Sequence, residues 1–241
     1  CHEQIRTYVL QHHGCLGRPS RHAQLILERQ RAQRTGEQVR VLGPGQARHR
    51  PHGRLDEPLF AVASYAVQVM HWDRTHQFCG ACASPTRPHG SARARVCTNA
   101  DCGLEHYPRL SPAIIVAVER GDEILLARSP HFPPGIYSVL AGFVDPGESA
   151  EEAVVREVFE ETAIRVTNVR YFGSQPWPFP HSLMLGFQAD YESGAVSPQE
   201  GEIEDAGFYR VDALPKTFPG NISISQWLLR DFVRRRGEQA G

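Results

Sequence analysis

The spacing of apolar residues changes several times along this chain, and each change predicts an element. From Leu59 to Trp72 (LFAVASYAVQVMHW) apolar residues fall on most faces of a helical wheel, which predicts a buried helix. Further on, Ala113–Val118 (AIIVAV) and Glu123–Ala127 (EILLA) are short apolar runs of strand type on either side of Gly121-Asp122, the pattern of a hairpin. Ile136–Phe143 reads as a strand leading into a loop, and Glu151–Thr162 as a strong helix. Val166–Ser174, Leu183–Tyr191 and Ala206–Arg210 read as strands, and Asn221–Arg236 as a closing helix with basic residues at its favourable end. Upstream, Ala23–Arg34 reads as a polar, basic helix, and Gly43–Gly53 as a Gly- and Pro-rich loop. The Gly43-Pro44-Gly45 step lacks the strand-to-helix context of a nucleotide-binding loop and reads as a turn. Mixed strands around a central helix predict an α+β or α/β sandwich, without internal repeats.

Composition narrows the function classes. The chain has 241 residues and a formal net charge of -1, so overall electrostatics draws it neither to nucleic acid nor to an anionic membrane. No apolar run is long enough to span a bilayer, and the opening CHEQIRTYVLQHHG has no secretory h-region, so a cytoplasmic location is expected. Four of the six cysteines cluster: Cys79 and Cys82, then, after a 14-residue gap, Cys97 and Cys102. Paired thiolate arms in a chain of this kind read as a structural Zn²⁺ site, closed to substrate. The second arm has four intervening residues rather than two. It leaves open a metal-free ribbon, or a ligand from Asp101 or His106.

The segment Gly142–Ile164 (GFVDPGESAEEAVVREVFEETAI) carries the chemistry. At about 100° per residue, Glu157, Glu160 and Glu161 share one helical face. Val155 and Phe159 fall opposite, with Val158 on their flank, as the expected sheet-packing side. Like charges one turn apart repel, and Mg²⁺ or Mn²⁺ shared with substrate phosphates would compensate them. A plain solvated glutamate face is the alternative. Arg156 is placed to pair with a neighbouring carboxylate.

Gly142, five residues, Glu148, seven residues, then Arg156-Glu157-Val158-Phe159-Glu160-Glu161 and Ile164 resembles the Nudix box. The one departure is Ala163, where the motif has Gly. If the left-handed helix end is kept, Ala costs about 1 kcal/mol there. A second stretch, Ser174-Gln175-Pro176-Trp177-Pro178-Phe179-Pro180-His181-Ser182, is similar to the signature of the NADH pyrophosphatases, Nudix enzymes with a zinc ribbon. Physically it reads as a stiff aromatic loop, either a pocket wall or a buried structural loop.

The resemblance implies a Nudix α/β/α sandwich over residues 109–241, a zinc ribbon over 75–108 and a small N-terminal α/β domain over 1–74. It implies hydrolysis of NADH or NAD to nicotinamide mononucleotide and AMP, with removal of NAD caps from RNA as a further use. Catalytic Mg²⁺ or Mn²⁺ would be held by Glu157, Glu161, Glu202 and the carbonyl of Ala141, with Glu160 beside them and Glu148 in support. Phe143 and Tyr107, the latter from the partner subunit of a homodimer, would sandwich the adenine. Gln175, Pro176, Trp177, Pro178, Phe179, Pro180, His181 and Ser182 would contact the nicotinamide half, and Ser225 the substrate near the last helix. No membrane partner is implied. A Nudix enzyme of another nucleoside diphosphate derivative such as ADP-ribose, and a non-catalytic nucleotide or RNA binder, are the competing readings.

Overall fold

A computed structural model describes residues 57–239. The expected helix Ala23–Arg34, the turn at Gly43 and most of the expected N-terminal domain lie outside the described residues. Helix α1 (Glu57–Thr75) leads into a three-stranded ribbon, β1 (Thr86–Pro88), β2 (Arg95–Cys97) and β3 (Glu105–His106), paired antiparallel in the order β1-β2-β3. There follow β4 (Ser111–Arg120), β5 (Glu123–Arg128), β6 (Leu140–Phe143), α2 (Ala150–Thr162), β7 (Arg165–Trp177), β8 (Ser182–Ser193), β9 (Asp205–Arg210) and α3 (Ile224–Gln239).

Strand β4 organises the main sheet. It pairs in parallel with β8 along one edge, while β6 and β5 share its other edge, both antiparallel. The full order is β7-β8-β4-β5-β9, with β6 beside β4. Ile114, Val116 and Val118 pack on one face with Val154 and Val158 of α2. Ile115 and Ala117 pack on the other with Ile224, Leu228 and Phe232 of α3. A strand buried on both faces has no polar alternation, which is why this segment reads as one apolar run. The hairpin through Gly121 forms as expected, with Gly121 at φ +58°.

Three local expectations need correction. Helix α1 is not buried all round. Phe60, Ser64, Val69 and Trp72 are covered, whereas Leu59 and Tyr65 are 43% and 51% exposed. One stripe meets the rest of the protein, and the Arg93 guanidinium covers the Tyr65 ring from 5.0 Å. On α2 the sheet-facing stripe is Ala153, Val154, Val158 and Thr162, while Val155 and Phe159 stay largely exposed. The helix is turned so that Glu157 and Glu161 border its buried stripe rather than lying opposite it. Finally, the strand expected over Ile136–Phe143 begins only at Leu140, because Tyr137 and Ser138 make isolated bridges to Thr217 and Ala127 instead.

The aromatic motif also takes a different form. Gln175–Trp177 extend β7, and only residues 178–181 turn before β8, so the segment is the tip of a hairpin closed by the pair Trp177↔Ser182. Pro176 is tolerated because β7 lies at the edge of the described sheet. At its base the ribbon is fastened to α1 by the buried Arg95. That guanidinium donates to Asp73 Oδ1 at 2.6 Å, to Gln77 Oε1 at 3.2 Å and to Thr86 Oγ1 at 2.8 Å. No helix among the described residues is long and apolar enough to cross a membrane.

Helix α2 starts with a capping box, in which Ser149 and Glu152 satisfy each other's backbone N–H groups. It ends at Ala163 with φ 60° and ψ 15°, whose N–H donates to the Phe159 carbonyl at 2.8 Å. The left-handed end is therefore kept despite the missing glycine. An Ala163→Gly variant is expected to be more stable by about 1 kcal/mol. Denaturant midpoints test this, and an unchanged or lower midpoint would count against strain at this residue.

Candidate active site and metal centres

The glutamate site is assembled around Arg156. Its Nε and one Nη donate to the two oxygens of Glu148, both at 2.8 Å, and the same Nη reaches the carbonyl of Phe143 at 2.9 Å. The other Nη donates to Glu157 Oε1 at 2.9 Å and Glu160 Oε2 at 3.0 Å. One planar cation thus joins the loop, strand β6 and two acidic residues of α2, a use of the guanidinium fork that a lysine point charge cannot copy. Glu148 also accepts from the Asp145 N–H at 3.0 Å. These bonds, that of Arg156 first, pull its carboxyl down to about 2. Both Glu148 oxygens are taken, by Arg156 and by the Asp145 N–H.

Glu157 lies directly against strand β6. A Cβ on Gly142 would fall on the Glu157 carboxylate, so only glycine admits this close approach. Ala141, the preceding residue in β6, pairs with Ile115 of β4. Glu157 is raised by burial, which Arg156 opposes. Glu161 is pushed up to about 8 by burial, reinforced by the charges of Glu157, Glu202 and Glu160. Its Oε2 is buried without a hydrogen-bond partner among the described residues.

Glu202 reaches this cluster through a loop that caps α2. The N–H groups of Ser197 and Gln199 donate to the last helical carbonyls, of Thr162 and Glu161, both at 2.9 Å. In the orientation that satisfies its amide, the Gln199 side chain donates to the Glu160 carbonyl and to Glu202 Oε2, each at 3.3 Å. Sequence reasoning missed Gln199. Its partners are 39 residues upstream and three downstream, with no motif to link them. A buried, unpartnered Glu161 oxygen under the charges of Glu157, Glu202 and Glu160 suits a hard divalent cation, Mg²⁺ or Mn²⁺. Glu157, Glu161, Glu202 and Ala141 are the residues that would hold it.

The four cysteines form the second centre. Their sulfur atoms all lie within 4.8 Å of one another, with Cys79–Cys102 at 3.8 Å and Cys82–Cys97 at 3.4 Å. A tetrahedron with Zn–S bonds of about 2.3 Å has edges of about 3.8 Å, so the donor set fits structural Zn²⁺. The longer second arm closes because Asn99 folds it. Its carbonyl accepts from the Cys102 and Gly103 N–H groups, and its side chain from Asp101 N–H. Neither Asp101 nor His106 belongs to the cluster.

The aromatic candidates are dispersed. The sheet register places Phe143 opposite Ala113 and Ser182 opposite Ser111, so the end of β6 and the hairpin tip share one end of β4. Phe143 is 57% exposed there. Trp177 packs on Phe179 (5.4 Å) and on Phe60 of α1 (6.2 Å). Pro178 is buried, while Pro176 and Pro180 are exposed. The His181 ring lies 3.1 Å from Ser111 Oγ, and Ser182 is buried. Tyr107, on the ribbon side, is exposed and donates its hydroxyl to Glu105 at 2.5 Å. Gln175 is only 6% exposed, with both ends of its amide engaged, so it offers little to a ligand directly. Ser225 sits at the start of α3, across the sheet from α2, beside Tyr137, Ser138 and Thr217. The structure therefore joins Ala141, Phe143, Glu148, Glu157, Glu160, Glu161 and Glu202 in one site, and holds Tyr107 and Ser225 apart from it within one chain.

Residues 108–228, half of the chain, match the NUDIX domain. The chain belongs to the Nudix family. Residues 74–107 match the NADH pyrophosphatase zinc ribbon domain. This Nudix chain is 50% identical over 183 residues to the NAD-capped RNA hydrolase NudC of Stutzerimonas stutzeri, covering 76% of this chain and 65% of that one. It is 53% identical over 189 residues to the NAD-capped RNA hydrolase NudC of Pseudomonas aeruginosa, covering 78% and 66%. The chain thus spans just under two thirds of the length of these relatives. A crystal structure of a Nudix hydrolase from Nitrosomonas europaea shares the fold, with a TM-score of 0.56 at 20% identity over 67% of this chain and 93% of that one.

Two outcomes are expected at these centres. The Glu148–Arg156 bond lowers a carboxyl from its ordinary 4.5 to about 2. Its stabilisation is therefore complete above 4.5 and is lost as pH falls from there toward about 2. A Glu148→Gln variant should be less stable than the parent at pH 7, and the gap should close only in that acid window. Denaturation at stepped pH checks this, and a gap constant with pH would contradict it. At the second centre, the protein should carry one Zn²⁺ per chain by elemental analysis, and chelation should unfold residues 76–106 by proteolysis or circular dichroism. Metal-free protein with an intact, protease-resistant ribbon would exclude a zinc role.

Proposed function

We propose that this protein hydrolyses the diphosphate of NADH or NAD to nicotinamide mononucleotide and AMP, and that NAD-capped RNA 5′ ends are a second substrate for the same chemistry. The observation that carries the reading is the unpartnered, buried Glu161 oxygen among the charges of Glu157, Glu160 and Glu202. A non-catalytic binder has no use for such repulsion. The choice of substrate is supported by the half-identical relatives named for NAD-capped RNA and by the NADH pyrophosphatase ribbon.

The residue roles belong to the same reading, and the geometry supports them. Glu157, Glu161, Glu202 and the Ala141 carbonyl would hold Mg²⁺ or Mn²⁺, which would neutralise the diphosphate and acidify water. Arg156, fixed by Glu148, keeps Glu157 and Glu160 turned toward the site. Hydrolysis places the water oxygen on one phosphorus while the bridging oxygen leaves with the other. Glu202, on a loop rather than on the helix, is positioned to complete the cation site or to accept the proton from water. Phe143 stacks the adenine from one side.

The partner subunit of a homodimer supplies Tyr107 to the other side of the base. Exposed Phe78 and Leu104 on the same ribbon, with Leu110 just after it, fit such an interface. Trp177, Phe179 and the turn through His181 wall the nicotinamide end. Division into a ribbon over 75–108 and a hydrolase domain over 109–241, with a cytoplasmic location, belongs to the same reading. ADP-ribose as the main substrate is the second reading, since nothing in the carboxylate cluster itself selects nicotinamide.

Incubation with NADH and Mn²⁺ followed by chromatography should yield both mononucleotides. A Glu161→Gln variant should retain the fold and lose at least about a hundredfold in rate. No cleavage of NADH or ADP-ribose by folded, metal-loaded protein would sink the enzyme reading, and cleavage of ADP-ribose alone would favour the second.

A further inference from the structure

The first residue of α3 is capped by a side chain from β7, the edge strand of the described sheet. A helix begins with N–H groups that have no intrahelical partner. Here the Ile224 N–H donates to Gln175 Oε1 at 2.8 Å, and Gln175 Nε2 donates to the Ile222 carbonyl at 2.5 Å. The two bonds bracket the entry to α3 with one amide, in a place that is almost wholly buried. Strand β8 tightens the same seat. Gly186 lies so close to Ile224 that a methyl there would meet its Cδ1 at 2.6 Å.

Gln175 is two residues before Trp177 on β7, and alternate residues of a strand project to one face. The ladder is regular over this stretch, pairing Gln175 with Met184 and Trp177 with Ser182. Ser225 directly follows Ile224, and its hydroxyl lies 3.0 Å from that of Ser223. Gln175 therefore connects the aromatic hairpin tip to the segment that carries Ser225.

We infer that Gln175 is a positioning residue: it caps α3 from a distance and sets the separation between the hairpin tip (Trp177, Phe179) and Ser225, and so selects for the nicotinamide half of the substrate. This rests on the proposal that Trp177 and Phe179 wall the nicotinamide end, and it adds Ser225, which lies apart from the carboxylates, to that wall. It assigns Gln175 a role through its neighbours and not through contact with the ligand. A buried amide whose donor and acceptor are both satisfied by backbone has little left for a ligand.

Two variants separate these roles. Gln175→Met keeps the volume and removes both bonds. Gln175→Glu keeps the acceptor for Ile224 N–H and loses the donor to Ile222. Hydrogen exchange should show the Ile224 amide opening about tenfold faster in Gln175→Met, the scale of a lost buried hydrogen bond, and less than that in Gln175→Glu. In steady-state kinetics the loss should fall on KM for NADH more than on kcat. KM for ADP-ribose, which lacks nicotinamide, should move less. Unchanged exchange at Ile224 with NADH still cleaved by the parent protein would overturn the clamp alone. Equal changes for NADH and ADP-ribose would overturn the selective role. A parent protein that leaves NADH intact would remove the substrate reading and the selective role together, while exchange would still decide the clamp. If Gln175→Met fails to fold, Gln175→Glu carries the same comparison.

Discussion

The organising constraint of this protein is the repulsion among carboxylates held beside a dry sheet. Glu157 and Glu161 border the stripe that α2 buries, so neither can relieve its charge by turning to bulk water. Arg156 offsets part of that cost, and a bound divalent cation would offset the remainder. Much of the surrounding architecture serves to keep the charges in place. The capping box fixes where α2 begins, the close approach at Gly142 fixes where Glu157 lies, and the loop through Ser197 and Gln199 fixes where the helix ends.

The parts of the site legible from sequence were those built from local contacts. The Glu148–Arg156 pairing spans eight residues on a loop and the helix it opens, and the first cysteine pair lies within one knuckle. The strands of the central hairpin were readable because burial on both faces leaves only apolar residues. The phase of α2 was not. Ala153, Val154, Val155, Val158 and Phe159 offer apolar groups around much of the helix. The choice of stripe is made by the sheet and by Gly142, neither of which local periodicity contains.

The hydrogen bonds of Gln175 and Gln199 are illegible in the sequence for a related reason. Each acts on backbone far away in sequence, and glutamine carries no motif value of its own. Gln175 was counted among ligand contacts because it sits in a distinctive stretch, yet its amide is used 47 and 49 residues onward. The aromatic motif is similarly split, with some members on a strand, some on a turn and Trp177 packed on a helix that precedes the ribbon. Shared membership in a motif does not confer shared contact with a ligand.

The shared edge of β4 has a consequence for how the molecule opens. Ten residues long and buried on both faces, β4 is laddered to β8 over nine of them, whereas β6 is held by four pairs at an outer position. Opening free energies within one domain range from near zero at lightly held segments to the global value at the core. The strand that lies against Glu157 is thus a short slat fastened to the sturdiest beam in the sheet. Its two ends are held from outside the sheet, Leu140 by the core under α2 and the Phe143 carbonyl by Arg156, so its seat depends on the acidic helix as much as on the ladder.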